Sequence, residues 1–436
     1  MPPALSLTDS TPLANQVAGH GGVMSDASGS LVIKPALPRE IAFYQTLNSS
    51  SREDPIRKLK PFVSKFYGTL RLEGQLSSKG DVERLEGKDE VPESVVIENL
   101  SYSFTHPNIL DVKLGTVLYG PDASEEKKTR MDKQARETTT HETGLRFTGC
   151  QTWHTPTSSY IQTPKSFGKT ISASQLPSGM MRFFPLPSDN ISSLVIPPSP
   201  ASNVSGSIAT EVEEHLPSIP EKSISTDTST GTAITKDNVI PPTPITASNA
   251  SSLLPAEYKD HSISSKLLVK VIENIIEEID KLILVLNELE IRFVGGSLLI
   301  VYEGDSENLD KSLEEYEKRK SINALKSTLN ENDKQDKRKG RSAFSEDGSV
   351  ESDDEEYDDD SDLDDLDDED DDDDDLINDE DEKPKKKKIN SPVKIKLIDF
   401  AHTWLCQGEG PDLGVLKGLN NLKGLLQGRK DEIIGK

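Results

Sequence analysis

The stretch PNILDVKLGTVLYG, residues 107–120, reads as a buried strand interrupted by charge. Ile109, Leu110, Val112 and Leu114 are apolar, while Asp111 and Lys113 stand two positions apart. Successive side chains alternate faces along a strand, so the acid and the base point the same way. Taken alone, a D-x-K on one strand face is a structural ion pair about as readily as a catalytic pair. The rest of the chain has to decide between them.

The chain has 436 residues and a formal net charge of −26. Residues 346–382 hold 26 acidic side chains and no Lys or Arg, so this tract carries the whole imbalance. The remaining 50 acids match the 50 bases. Such a run repels itself and buries no core, so it is expected to be disordered. A segment from about Leu186 to Ala256, dominated by Ser, Thr, Pro and Asn, reads as a flexible insertion, and the first ~25 residues look similar. Roughly 250 residues are left to fold, enough for one two-lobed domain.

Two cysteines, Cys150 and Cys406, exclude a disulfide framework and a Cys-based zinc site and suit a reducing compartment. The start of the chain lacks a secretory pattern, and the most apolar stretch, around Leu282–Leu286, is too short to span a bilayer. A soluble intracellular protein is expected. KPKKKK (Lys383–Lys388), directly after the acidic tract, is a candidate nuclear import signal, with simple counter-charge as the alternative. The expected location is therefore the nucleus, with the cytoplasm as a second site.

Leu31–Phe43 reads as a strand ending in Lys34, then a Pro-broken turn into a helix. Pro61–Ile97 carries alternating segments that suit antiparallel strands. Leu267, Leu268, Val271, Ile272, Ile275, Ile276, Ile279, Ile283 and Leu286 recur at three- and four-residue steps, the apolar stripe of a core helix. Two strands follow, in VGGSLLIVYEG (294–304) and KIKLIDFAHTW (394–404). If only disorder separates them, they are neighbours in one sheet and the acidic tract is an expanded hairpin loop.

KLIDFAH is similar to the metal-binding D-F-G of protein kinases. Phosphoryl transfer needs a carboxylate to hold Mg²⁺ and a Lys to neutralise phosphates, and Asp399 and Lys34 are the available pair. The glycine loop and the H-R-D loop of protein kinases are absent, which excludes an ordinary protein kinase.

PNILDVKLG resembles the P-x-x-x-D-x-K-x-G signature of the inositol polyphosphate kinase family, GSLLIVYEG its S-S-L-L segment and LIDFAH its I-D-F-A-H. REIAFYQ (39–45), GLRFTG (144–149) and DLGVLKGL (412–419) support the match, in the family's order. The resemblance implies an α+β fold: a protein-kinase-like two-lobed domain with antiparallel sheets and a small inositol-binding helical insertion. It implies that Asp111 orients the attacking hydroxyl or accepts its proton and that Lys113 holds phosphate charge. Lys34 becomes the nucleotide-phosphate lysine, and Glu98 to Leu100 the hinge whose backbone reads adenine. Asp399 becomes the metal ligand, Ser297 lies near metal and nucleotide, and His402 faces the inositol phosphate. The family's first Ser of S-S-L-L is Gly296 here.

In helix 123–142, Lys127, Arg130, Lys133 and Arg136 recur at steps of three, and beside the D-x-K strand they suit a phosphate clamp, Lys133 and Arg136 above all. Only about thirty residues separate Lys113 from Phe147. So short an inositol lobe resembles the multikinase branch, and ILDVKLGTVLYGPDASEEK (109–127) is similar to its fungal form, which implies an ATP- and Mg²⁺-dependent enzyme carrying inositol trisphosphate and tetrakisphosphate toward pentakisphosphate. The alternatives are an inositol hexakisphosphate kinase making pyrophosphates, or a nuclear interaction protein whose acidic tract binds transcription factors. The charge balance argues against direct nucleic-acid binding, and a monomer is expected.

The expected divisions are a disordered start (1–25) and then the N-lobe, hinge, D-x-K strand and inositol helix (26–185). The Ser/Thr/Pro insertion (186–256) precedes the C-lobe helix and S-L-L strand (257–305). A disordered acidic loop with its basic patch (306–392) and the I-D-F-A-H strand with a C-terminal helix (393–436) complete the chain.

Overall fold

In the computed structural model the D-x-K stretch becomes the middle strand of a five-stranded antiparallel sheet. The structure describes residues 10–17, 22–71, 74–76, 82–84, 93–186, 188–189, 262–342 and 391–435. The described part opens with β1 (Thr11–Pro12), β2 (Met24–Ser25) and β3 (Leu31–Pro35), followed by α1 (Pro38–Ser49). Pro38 at the first helical position starts α1 with its φ already set. Next come β4 (Phe66–Arg71), the hairpin β5 (Gly74–Leu76) and β6 (Val82–Arg84), and β7 (Glu93–Glu98). The first sheet is antiparallel in the order β1-β2-β3-β7-β4.

The second sheet runs β10-β9-β8-β12-β13. Its strands are β8 (Pro107–Leu114), β9 (Leu145–His154), β10 (Ser159–Thr163), β12 (Ser297–Glu303) and β13 (Val393–Ile398). A short ladder joins β11 (Ile291–Phe293) to β14 (Thr403–Leu405). Between β8 and β9 lie α2 (Glu125–Glu137) and α3 (Thr139–Thr143). The helices α4 (Lys165–Thr170), α5 (Leu176–Phe183), α6 (Ser265–Glu288), α7 (Ser306–Ser342) and α8 (Leu413–Ile434) follow. Leu110, Val112 and Leu114 on one face of β8 are buried; Ile109, Asp111 and Lys113 take the other. The result, among the described residues, is α+β with two five-stranded antiparallel sheets and two small two-stranded ones.

The pairing of β12 with β13 across the acidic segment is as expected, with Ser297 opposite Ile398. The stripe of α6 is buried at Leu267, Leu268, Val271, Ile272, Ile275, Ile279 and Leu286; Leu282 and Val285 join it, while Ile276 and Ile283 are half-buried.

Four expectations change. Residues 306–342 are helix, not loop: Leu309 and Leu313 are fully buried, and Lys270–Glu317 and Lys320–Glu277 ion pairs tie α7 to α6. Those two leucines are too sparse to stand out in a charged sequence, yet spaced by four they meet one neighbour. The acidic run and Lys383–Lys388 lie outside the described residues. The helix expected over 123–142 is two, broken at Thr138, whose extended backbone lets its hydroxyl cap α3. In the expected disordered start, β1 and β2 extend the first sheet because Met24 and Ser25 find partners in Ile33 and Val32. At the head of the Ser/Thr/Pro insertion, Leu186 is buried and Asp189 pairs with the buried Arg429 of α8 at 2.6 Å.

Candidate active site

Lys34 leaves β3 and meets two carboxylates, Asp399 at 2.6 Å and Glu40 of α1 at 2.8 Å. Burial acts to lower the ammonium's pKa, but the charges of Asp399 and Glu40 outweigh it and hold Lys34 above the usual lysine range. Glu40 is almost wholly buried and also accepts from the Phe400 amide at 3.3 Å. Phe400 stacks on Phe43 of α1 with ring centroids 4.1 Å apart and meets Tyr44 edge-on. The aromatic residue after the aspartate thus docks on the helix that supplies Glu40. Asp399 itself has φ +67°, a left-handed conformation that Asp tolerates better than most residues and that concentrates at functional sites.

Across the second sheet, Lys113 stands opposite Ser297, and Asp111 opposite Leu299. Directly paired residues of an antiparallel ladder share a face. Asp111 is buried and accepts from the Thr148 hydroxyl at 2.6 Å. Burial, then the neighbouring charge of Asp399, pushes the Asp111 carboxyl up; hydrogen bonds from Thr148 and Ser297 and the charge of Lys113 oppose this. Lys34, Asp399, Asp111, Ser297 and Lys113 therefore form one cluster, drawn from strands of both sheets and from the turn after β13.

The other expected residues are placed less centrally. Glu98 ends β7; its amide donates to the Lys65 carbonyl, and its carboxylate pairs with Lys394 at 2.6 Å. Burial would raise the Glu98 pKa, but Lys394 brings it below the usual range. Leu100 is buried against Ile109 and Val301. His402 is half-buried in the turn after Phe400, its carbonyl accepting from the Val294 amide at 3.0 Å. Lys127 is half-buried, whereas Lys133 and Arg136 stand exposed on α2; Lys133 lies 3.8 Å from Glu137 of the same helix.

Three residues of this region were not singled out from sequence. Glu40 lies in REIAFYQ, and Arg146 and Thr148 lie in GLRFTG. Arg146, buried on β9, stands opposite Lys113. The motifs held the signal, but only the strand pairing says which members face the cluster.

The cluster offers carboxylate and hydroxyl oxygens and no sulfur or imidazole, a donor set that suits a hard divalent cation such as Mg²⁺. Among the described residues, no group of three or more His, Cys, Asp or Glu forms a cage for a metal. Mg²⁺ is commonly held by one or two carboxylates together with substrate phosphates, and Asp399 with Ser297 fits that pattern.

Comparison with known proteins places these residues in context. The chain is 32% identical over 178 residues to an inositol polyphosphate multikinase of Schizosaccharomyces pombe, covering 39% of this chain and 61% of that one. It is 33% identical over 167 residues to the Saccharomyces cerevisiae inositol polyphosphate multikinase, covering 33% and 47%. The matches thus span 61% and 47% of these relatives' own lengths. A shorter match of 89 residues, at 33% identity, links it to human inositol hexakisphosphate kinase 3, covering 20% and 22%. Among solved structures, an inositol phosphate multikinase from S. cerevisiae in complex with ADP and Mn²⁺ aligns with a TM-score of 0.48 at 19% identity, over 92% of this chain and 99% of that one. The family model described as inositol polyphosphate kinase matches residues 94–198 and 256–427, well over half of the chain. Since that match takes in the D-x-K strand, the S-L-L strand and the I-D-F-A-H turn, the chain belongs to the inositol polyphosphate kinase family.

Proposed function

We propose that this chain is an ATP- and Mg²⁺-dependent inositol polyphosphate multikinase that phosphorylates inositol trisphosphate and tetrakisphosphate toward pentakisphosphate. The observation that carries the reading is the meeting of Lys34, Asp399, Asp111, Lys113 and Ser297 at one locus. In this reading Lys34, held between Asp399 and Glu40, neutralises nucleotide phosphate charge. The backbone from Glu98 to Leu100 receives the adenine, with the Glu98 amide already engaged by Lys65. Asp399 and Ser297 are the residues that would hold Mg²⁺, which when bound neutralises the β- and γ-phosphates.

The substrate hydroxyl oxygen attacks the γ-phosphorus, the bond from that phosphorus to the bridging oxygen breaks, and ADP leaves. The hydroxyl proton passes to Asp111. Burial suits Asp111 to this task, because a raised carboxyl pKa makes it a better proton acceptor. Lys113, Lys127, Lys133, Arg136 and His402 supply the cationic and polar contacts for the inositol phosphates. Positioning and charge stabilisation make up most of such catalysis.

The similarity to an inositol hexakisphosphate kinase makes pyrophosphate synthesis the second reading. Incubation with inositol tris-, tetrakis- and hexakisphosphate, ATP and Mg²⁺, followed by product separation, decides. Turnover of the first two supports the multikinase; turnover of hexakisphosphate alone supports the second reading, and turnover of none overturns both. Asp399→Asn, run in parallel, is expected to abolish turnover in a protein that still melts cooperatively, at a temperature lowered by the lost charge opposite Lys34. Activity within tenfold of wild type removes Asp399 as the metal ligand. A nuclear location through Lys383–Lys388, with transcription factors meeting the acidic tract, belongs to the same proposal and is tested by fluorescence imaging after alanine replacement of those lysines.

A further inference from the structure

The ladder between β8 and β9 contains an irregularity at the catalytic aspartate. Lys113 pairs with Arg146 and Val112 with Phe147, but Asp111 pairs with Gly149. Thr148 is the extra residue, a bulge of one in β9. A bulge re-aims a side chain that a regular strand would place elsewhere, and bulges concentrate beside active sites. Here the re-aimed side chain is the Thr148 hydroxyl, which lies 2.6 Å from Asp111 Oδ1 and 3.1 Å from the Asp111 carbonyl oxygen. A hydroxyl has one proton to donate, and the shorter contact is to the carboxylate. The residue directly across from Asp111 is Gly149, which has no side chain to crowd the carboxylate.

We propose that Thr148 is a positioning residue for the phosphoryl transfer: its hydroxyl, placed by the β9 bulge, fixes the Asp111 carboxylate so that the second oxygen faces the attacking hydroxyl. The inference rests on the kinase reading above and deepens it. Its competitor is structural. A bulge interrupts the ladder, and the same hydroxyl also satisfies the Asp111 carbonyl there. The two roles part in what they control: a carbonyl cap acts on stability alone, whereas a carboxylate anchor acts on kcat.

The test compares Thr148→Val, which keeps the shape and removes the hydroxyl, with Thr148→Ser, which keeps the hydroxyl. With Mg²⁺-ATP and inositol trisphosphate, Thr148→Val is expected to lower kcat about ten- to hundredfold, the range a misplaced reacting group produces. The KM for ATP is expected to stay within twofold, and Thr148→Ser to restore kcat to within about threefold of wild type. A Thr148→Val enzyme that folds and keeps kcat within twofold overturns the proposal. So does a Thr148→Ser enzyme as slow as the valine variant. A crystal structure of Thr148→Val gives a readout independent of turnover. A rotated or doubly occupied Asp111 carboxylate supports the proposal, and an unmoved one overturns it even if the protein phosphorylates no inositol phosphate. If the valine variant fails to fold, the serine variant and a Thr148→Cys variant, which supplies only a weak donor, carry the kcat comparison.

Discussion

At the scale of single residues, two positions lend themselves to direct tests. Gly296 occupies the place of the family's first serine in S-S-L-L. A Cβ built there meets the Ile398 carbonyl at 3.5 Å, the Asp399 carbonyl at 3.6 Å and Phe293 Cβ at 3.7 Å, all ordinary contacts. The backbone need for glycine falls on its neighbour Gly295, at φ +74°. Gly296→Ser is therefore expected to shift stability by less than about 0.5 kcal/mol and to leave kcat/KM within about threefold. A much larger loss in a denaturant melt would show that the strand entry is tighter than these distances allow. Cys150 is the second position. Burial, only partly offset by Thr152 and Thr163, pushes its thiol up to about 12. At pH 8 about one molecule in ten thousand then carries the reactive thiolate. Iodoacetamide is expected to leave Cys150 unlabelled in the native protein and to label it after unfolding, as read by mass spectrometry. The sign also sets a pH dependence: the folded state holds this proton more tightly, so its contribution to stability is lost as pH rises from about 9 toward 12.

At the scale of elements, α8 comes very close to the turn before β9. Gly144 ends α3 at φ +69°, and its carbonyl accepts from the Gly115 amide at 2.9 Å. A Cβ on Gly418 of α8 would lie 2.1 Å from that same carbonyl oxygen and 3.1 Å from Leu114 Cδ2. One obstacle is backbone of the turn before β9 and the other is the last residue of the D-x-K strand, so α8 must retreat if Gly418 gains a methyl group. Gly418→Ala is expected to destabilise the protein by about 1–3 kcal/mol, the range for overpacking a filled interior. Urea unfolding measures it; a change under about 0.5 kcal/mol would mean the helix moves away freely.

At the scale of the whole molecule, the acidic segment and the helix before it are separable. Replacing 306–390 with a short turn removes Leu309 and Leu313, both fully buried, and is expected to lower stability by about 3–6 kcal/mol. Keeping α7 to Ser321 and replacing 322–390 preserves those leucines and the α6–α7 ion pairs. Sixteen helical residues reach about 24 Å, so the return to β13 needs roughly 8–12 flexible residues. That shorter protein is expected to melt within a few degrees of the full chain and to retain its turnover. A cooperative melt with turnover gone would instead assign the removed segment to the active site.

What could be read from the chain alone was whatever depends on local order. Alternation along 107–114 marked a strand with Asp111 and Lys113 on one face, and the three- and four-residue steps of 267–286 marked a core helix. The family motifs carried the site because their members keep fixed spacing. Strand register and helix packing were out of reach, because they depend on which distant segments meet. Nothing local in GLRFTG says that one residue bulges, yet the bulge brings Thr148 to Asp111. Nothing in REIAFYQ separates Glu40 from an ordinary surface acid until α1 packs on Phe400 and buries it against Lys34. The helix at 306–342 was hidden for the same reason: two leucines in a charged segment gain their burial only from a neighbour elsewhere in the chain.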